Sequence, residues 1–266
     1  MLEALFQRSK DAFRSAFIPY VMAGDPDLET TQAILAELTA AGADAIELGI
    51  PYGDPLADGP TIAAAANRAL ERGVTIEHVF EITRSHKDRG GAPIVLFTYF
   101  NPVYQYGIAR FARDAGASGA SGVIVPDIAL EESDELTSAL AEQGIDMPLL
   151  VAPSTPPSRA HIIAERSTGF IYVVSRLGVT GASSEPSLDA LRAQIIVLRG
   201  ITEKPLAAGF GVSTPEQVAG VARLADGIIV GSAIIDSYQG TAGDEAVNKV
   251  RDFVRPLIAA TYYRLD

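Results

Sequence analysis

The chain of 266 residues has no cysteine, no tryptophan and only three histidines. Without cysteine there can be no disulfide, thiolate metal site or cysteine nucleophile. His78, His86 and His161 stand apart in stretches of helical patterning. They read as surface residues rather than ligands, and no metal site is expected. Basic residues are outnumbered: 21 Lys and Arg face 33 Asp and Glu, a formal charge of −12, with no dense basic stripe. Nucleic acid and anionic membrane are therefore not expected as partners. No apolar run approaches the roughly 18 to 20 residues that span a bilayer. The opening residues 1–14 alternate charged and apolar positions, unlike a secretory signal. A cytoplasmic protein is expected.

What is present is a large apolar fraction, 48%, in short runs separated by amphipathic stretches. Strands are expected at 17–23, 45–50, 93–98, 122–127, 147–152, 170–175, 205–209 and 226–231. Helical patterns follow, as at 28–41, 132–142, 157–165, 188–198 and 215–223, with Ser133, Ser187 and Ser213 near helix starts. Alternating β and α with buried, β-branched strands implies a parallel sheet. Eight such units in a length near the roughly 250 residues of one α/β barrel imply closure. The expectation is an α/β fold, a single (β/α)8 TIM-barrel domain over 1–266. An extra N-terminal helix at 2–14 would cap its bottom, further helices would lie in the loops, and 244–262 would close it. An open doubly wound sheet is the rival, but Ala23-Gly24-Asp25-Pro26 stands where its glycine-rich nucleotide turn would be.

The sharpest anomaly lies in the second strand. Side chains alternate faces along a strand, so Ile46, Leu48 and Ile50 form an outer face while Ala45, Glu47 and Gly49 point inward. Burial raises a carboxyl pKa, which makes Glu47 a candidate acid/base; a paired core glutamate is the alternative. Asp58 follows in the loop Tyr52-Gly53-Asp54-Pro55-Leu56-Ala57-Asp58-Gly59-Pro60, over the end of the barrel where active sites form. It could share acid–base work with Glu47 or cap the helix after it. Gly209-Phe210-Gly211 and Gly231-Ser232 end the seventh and eighth strands. Such glycines let backbone N–H groups reach a phosphate, or simply make tight turns. Tyr20 and Phe97 read as walls of a pocket, and Asp127 as a loop anchor or helix cap.

The run Ala45 to Ile62, AIELGIPYGDPLADGPTI, resembles the signature of tryptophan synthase alpha subunits. So do Phe17-Ile18-Pro19-Tyr20 with Gly24-Asp25-Pro26, Ser175-Arg176-Leu177-Gly178-Val179-Thr180-Gly181, Gly209-Phe210-Gly211 and Gly231-Ser232-Ala233-Ile234, in order along nearly the whole chain. Gly53 departs from a common serine, which could loosen its loop, and Ala129 from a frequent proline. The resemblance implies a lyase that splits indole-3-glycerol phosphate by a reverse aldol reaction into indole and D-glyceraldehyde 3-phosphate. It implies Glu47 and Asp58 as the catalytic pair, and Tyr172, otherwise readable as a core tyrosine, beside the substrate. Phe210 would also contact substrate, and Gly181 would join Gly211, Gly231 and Ser232 around the phosphate. The segment 176–187 would be mobile until ligand orders it, with Thr180 reaching Asp58. No cofactor is implied in this chain. Pyridoxal phosphate would belong to a beta subunit, docked as an α2β2 complex on Asp54, Pro55, Asn101 and Pro102. Alternatives are another phosphate-binding barrel such as a sugar-phosphate isomerase, a stand-alone indole-producing lyase, or a catalytically silent regulatory barrel.

Overall fold

A computed structural model describes residues 2–174, 187–209 and 211–263. The chain opens with α1 (Glu3–Asp11), β1 (Ala16–Met22), α2 (Leu28–Ala41), β2 (Ile46–Gly49), α3 (Pro60–Glu71), α4 (Ile76–Asp88) and β3 (Ile94–Phe97). It continues through α5 (Phe100–Tyr106), α6 (Ile108–Ser118), β4 (Gly122–Ile124), α7 (Asp134–Glu142), β5 (Leu149–Val151), α8 (Pro157–Arg166) and β6 (Ile171–Val174). Last come α9 (Leu188–Arg199), β7 (Leu206–Gly209), α10 (Pro215–Ala222), β8 (Gly227–Val230), α11 (Ser232–Tyr238) and α12 (Gly243–Ala259). All eight strands are parallel, in the order β4-β3-β2-β1-β8-β7-β6-β5. The remaining join, β4 to β5, is a parallel bridge between Gly122 and Asp146, with Val123 N–H donating to the Asp146 carbonyl at 2.9 Å. The sheet thereby curls into the expected barrel.

Alternation sorts the strand side chains. Ile46, Leu48, Leu96, Val123, Val173 and Ile228 belong to the large core between sheet and helices. Ala16, Ile18, Ala45, Val95, Ile124, Ala207 and Ile229 form a smaller core inside the barrel, joined by Leu2, Leu5 and Phe6 of the N-terminal segment. The expected bottom cap is therefore a plug. Phe6 lies 5.4 Å from the Phe170 ring, and a Cβ on Gly227 would stand 2.7 Å from the Phe6 ring. Phe6 is 4% exposed. Phe6→Ala should cost about 3–5 kcal/mol of unfolding free energy, as large-to-small core changes do. A urea midpoint equal to the wild type's would show the plug to be dispensable.

The helix starts differ in detail from the expected caps. Ser187 caps α9 by accepting from Asp189 N–H. Thr214, not Ser213, caps α10, in a reciprocal capping box with Gln217. Ser133 precedes α7, but its hydroxyl bonds back to the Leu130 carbonyl. His86 corrects the reading of all three histidines as surface groups, for it is only 7% exposed. Its Nε2 lies 3.3 Å from the Thr39 hydroxyl. The space exists because residue 91 is glycine: a Cβ there would fall 2.2 Å from that nitrogen.

Candidate active site

Strand β2 puts Glu47 inside the barrel, opposite Tyr20 on β1 and Val95 on β3. Its neighbours on the same face, Ala45 and Gly49, are small and leave room beside it. Glu47 is 1% exposed, and its Oε1 has no hydrogen-bond partner among the described residues. Burial pushes its pKa up to about 8. Gly49 is required by close approach, since a Cβ would lie 2.2 Å from the Tyr20 hydroxyl. Tyr20 meets the Phe97 ring edge-on, centroids 5.7 Å apart. The two rings pack together on the barrel face that carries Glu47.

Asp58 does not cap α3. The cap residue is Gly59, followed by Pro60, and no side chain caps the helix. Asp58 N–H closes a turn onto the Pro55 carbonyl at 3.1 Å, and the residue is 7% exposed. Burial raises its pKa to about 6, against a hydrogen bond from Tyr99 that favours the ionised form. The Tyr99 hydroxyl also accepts from Ala57 N–H at 3.1 Å. Tyr99 was not singled out beside Asp58 from the sequence; the available signal was its spacing, two residues beyond Phe97. Tyr99 packs on Tyr52 with centroids 5.4 Å apart, and the Tyr52 hydroxyl accepts from Asn101 Nδ2 at 3.3 Å. Asp127 accepts from Phe100 N–H at 2.8 Å, anchoring the start of α5.

A second unforeseen group lies behind the loop. Asp25, 1% exposed, receives two bonds from Arg68 of α3, at 2.7 and 2.9 Å, and one from Tyr238 of α11 at 3.2 Å. Thr61 also donates to Asp236 at 3.1 Å. Helices α3 and α11 are thus tied together. No sequence motif marked Arg68 or Tyr238.

Across the mouth, Gly211 has φ +66°, in the left-handed region that favours glycine. Gly231 sits at the N-terminus of α11 and Ser232 begins that helix. Tyr172 lies across Gly209, where a Cβ would stand 2.8 Å from its ring. Burial raises the Tyr172 pKa strongly, and the nearby charges of Glu47 and Asp58 add to it. Thr180, Gly181 and Phe210, and all of 176–187 except Ser187, lie outside the described residues. Asp54 and Asn101 are exposed, Pro55 and Pro102 half-buried. Among the described residues no cluster of three His, Asp or Glu could hold a metal.

A cleft of about 820 Å³ opens around α1, lined by residues that include Lys10, Arg14, Arg199 and Lys204. Its position is at the plugged end, away from both acids. Arg14 is paired with Asp44 and Arg199 with Asp226, while Lys204 Nζ donates to the carbonyls of Ala164, Glu165 and Ser167. Those contacts make it a structural crevice.

A closed parallel barrel of eight strands, with one buried acid within β2 and another in the loop that follows it, places the chain in the class of (β/α)8 barrels. The family model described as tryptophan synthase alpha chain matches residues 6–261. A tryptophan synthase alpha chain of Gloeobacter violaceus is 49% identical over 92% of this chain and 89% of its own. That of a Picosynechococcus species is 47% identical over 95% and 96%. A structure of Mycobacterium tuberculosis tryptophan synthase superposes with a TM-score of 0.90 at 35% identity, covering 99% of this chain and 98% of the other. The chain belongs to the tryptophan synthase alpha chain family.

Proposed function

We propose that Glu47 and Asp58 carry the family's reaction in this chain, the reverse aldol cleavage of indole-3-glycerol phosphate to indole and D-glyceraldehyde 3-phosphate. The observation that carries the assignment is the pair itself: two acids near one mouth, held at about 8 and about 6 by different surroundings. Near neutral pH Glu47 is protonated and Asp58 largely ionised, so one can give a proton while the other holds a positive charge.

Protonated Glu47 donates to indole C3, making the ring an electron acceptor. Asp58 accepts a hydrogen bond from the indole N–H and stabilises the charge that develops there. The Glu47 carboxylate then takes the proton of the hydroxyl on the carbon attached to C3. That oxygen becomes the aldehyde oxygen, the carbon–carbon bond breaks, and its electron pair returns to the ring as indole. Tyr20, Phe97, Tyr172 and Phe210 bound the ring and chain, and Thr180 orients Asp58. The reaction needs no cofactor or metal in this chain, because the electron sink is the substrate's own indole. Release of indole from the purified chain, lost in Asp58→Asn, tests the assignment directly.

Backbone N–H groups of Gly181, Gly211, Gly231 and Ser232 hold the phosphate, an anion site that suits a protein of net charge −12. Any side chain at 211 strains a backbone at φ +66° and turns its N–H. Gly211→Val should weaken inorganic phosphate and substrate binding by about tenfold or more, within the range that backbone strain of about 1–3 kcal/mol supplies. Gly240→Val, at another positive-φ glycine with φ +77°, controls for strain alone. Equal phosphate affinity in the two variants would remove Gly211 from the site.

The same reading gives the chain a beta subunit partner, in an α2β2 complex, that holds pyridoxal phosphate and consumes the indole. Asp54, Pro55, Asn101 and Pro102 are the proposed contacts, beside Leu56 and Tyr104, which are 71% and 63% exposed. No described helix is long and apolar enough to cross a membrane. A cytoplasmic location fits the cleavage of a small phosphorylated metabolite.

A further inference from the structure

Two polar atoms inside the barrel mouth have no hydrogen-bond partner among the described residues: Glu47 Oε1 and the Tyr20 hydroxyl. Tyr20 is 3% exposed, so the surrounding solvent does not serve its hydroxyl. A buried donor without an acceptor destabilises a fold, and phenylalanine would fill the same wall without that penalty. The hydroxyl is thus a group whose use lies outside packing.

Its position says what it can reach. Tyr20 and Glu47 are partners in the β1–β2 ladder. The Tyr20 ring then leans along β2, so that its hydroxyl stands where a Cβ on Gly49 would be, 2.2 Å from that point. Gly49 is two residues beyond Glu47 on the same inward face, one side-chain step nearer the mouth. A substrate oxygen that approaches Glu47 from the mouth passes the phenol. Burial, with the nearby carboxyls of Asp58 and Glu47 adding to it, keeps this hydroxyl protonated as a donor.

We propose that the Tyr20 hydroxyl donates a hydrogen bond to the substrate oxygen on the carbon attached to indole C3, making Tyr20 a catalytic residue as well as a wall. The inference rests on Glu47 as the base for that same hydroxyl. The oxygen gives its proton to Glu47 and accepts from Tyr20 through a lone pair. As the carbon–carbon bond breaks, it becomes a carbonyl oxygen and still accepts from Tyr20. One substrate group satisfies both orphaned atoms, and Tyr20 neither gains nor loses a proton.

Tyr20→Phe tests this because stability and rate should move differently. The variant should melt at the wild-type temperature or above, since it loses only an unpaired donor. Its kcat should fall about tenfold, the upper size of one ordinary net hydrogen bond. Dissociation constants are measured in a Glu47→Gln background for the substrate and for an analogue lacking that hydroxyl. Tyr20→Phe should weaken the substrate several-fold and leave the analogue unchanged. Unchanged kcat, or equal weakening of both ligands, would overturn the proposal. If Glu47→Gln itself cleaves substrate at an undiminished rate, the assignment of Glu47 fails instead, a result separate from either Tyr20 outcome.

Discussion

Glu47→Gln should release indole at least about 100-fold more slowly than the wild type, the minimum expected for losing a general acid/base. The substitution keeps shape and polarity, so substrate should still bind. The two acids also set the pH dependence. The reactive form has Glu47 protonated and Asp58 ionised, so kcat/KM should be bell-shaped, with limbs near the pKa values of about 6 and about 8. The same carboxyl burdens the fold as pH rises. In the unfolded chain it ionises near its ordinary 4.5, so between there and about 8 the native state holds one proton more. Stability therefore falls with rising pH across that window, by about 1.4 kcal/mol per unit. Glu47→Gln removes this loss, and the variant should gain on the wild type in urea unfolding at pH 9 relative to pH 5. A variant with a tenth of the wild-type rate, or with an unchanged pH dependence of stability, would contradict the buried acid/base.

The beta subunit should raise cleavage activity by about 5- to 150-fold, the span of ordinary coupling free energies. A path for it exists in the site. Asn101 donates to Tyr52, Tyr52 packs on Tyr99, and Tyr99 contacts Ala57 and Asp58. A partner that fixes the exposed Asp54–Leu56 turn and the start of α5 would fix Tyr99, and with it the carboxylate. Asp54→Ala should reduce the activation several-fold while leaving the melting temperature and the activity of the isolated chain nearly unchanged. Titration of purified beta subunit at micromolar concentrations measures both. If neither subunit alters the other's rate, the chain works as a stand-alone indole lyase.

The barrel was legible because its strands are short, apolar and regularly spaced, and because inward and outward positions alternate strictly. Glu47 stood out for a related reason: a carboxylate between Ala45 and Gly49 breaks the apolar pattern of an inner face. Asp58 needed the resemblance, since a loop aspartate before Gly59-Pro60 also suits a helix cap, and only the fold turns its side chain towards Tyr99. The groups that position the site were less visible. Tyr99 belongs with Asp58 because β3 runs beside β2, and Asp25 meets Arg68 and Tyr238 across 43 and 213 positions of sequence. His86 was misread because its burial depends on Thr39 of α2 and on a missing Cβ at Gly91, in the loop after its own helix. Each is a relation between distant segments, which local patterning does not encode.

The join between β4 and β5 makes the barrel a hoop with one light clasp. Seven neighbouring pairs of strands share full ladders, and the eighth shares the Gly122–Asp146 bridge. Asp146 also binds the Leu2 N–H through its carboxylate at 3.0 Å, so the first turn of the chain acts as the pin of that clasp. Gly144, just before it, lies in an open turn at φ +68°. A backbone nick there would leave two half-hoops that still share the whole β1–β8 ladder, and the two pieces made separately should find each other and close again.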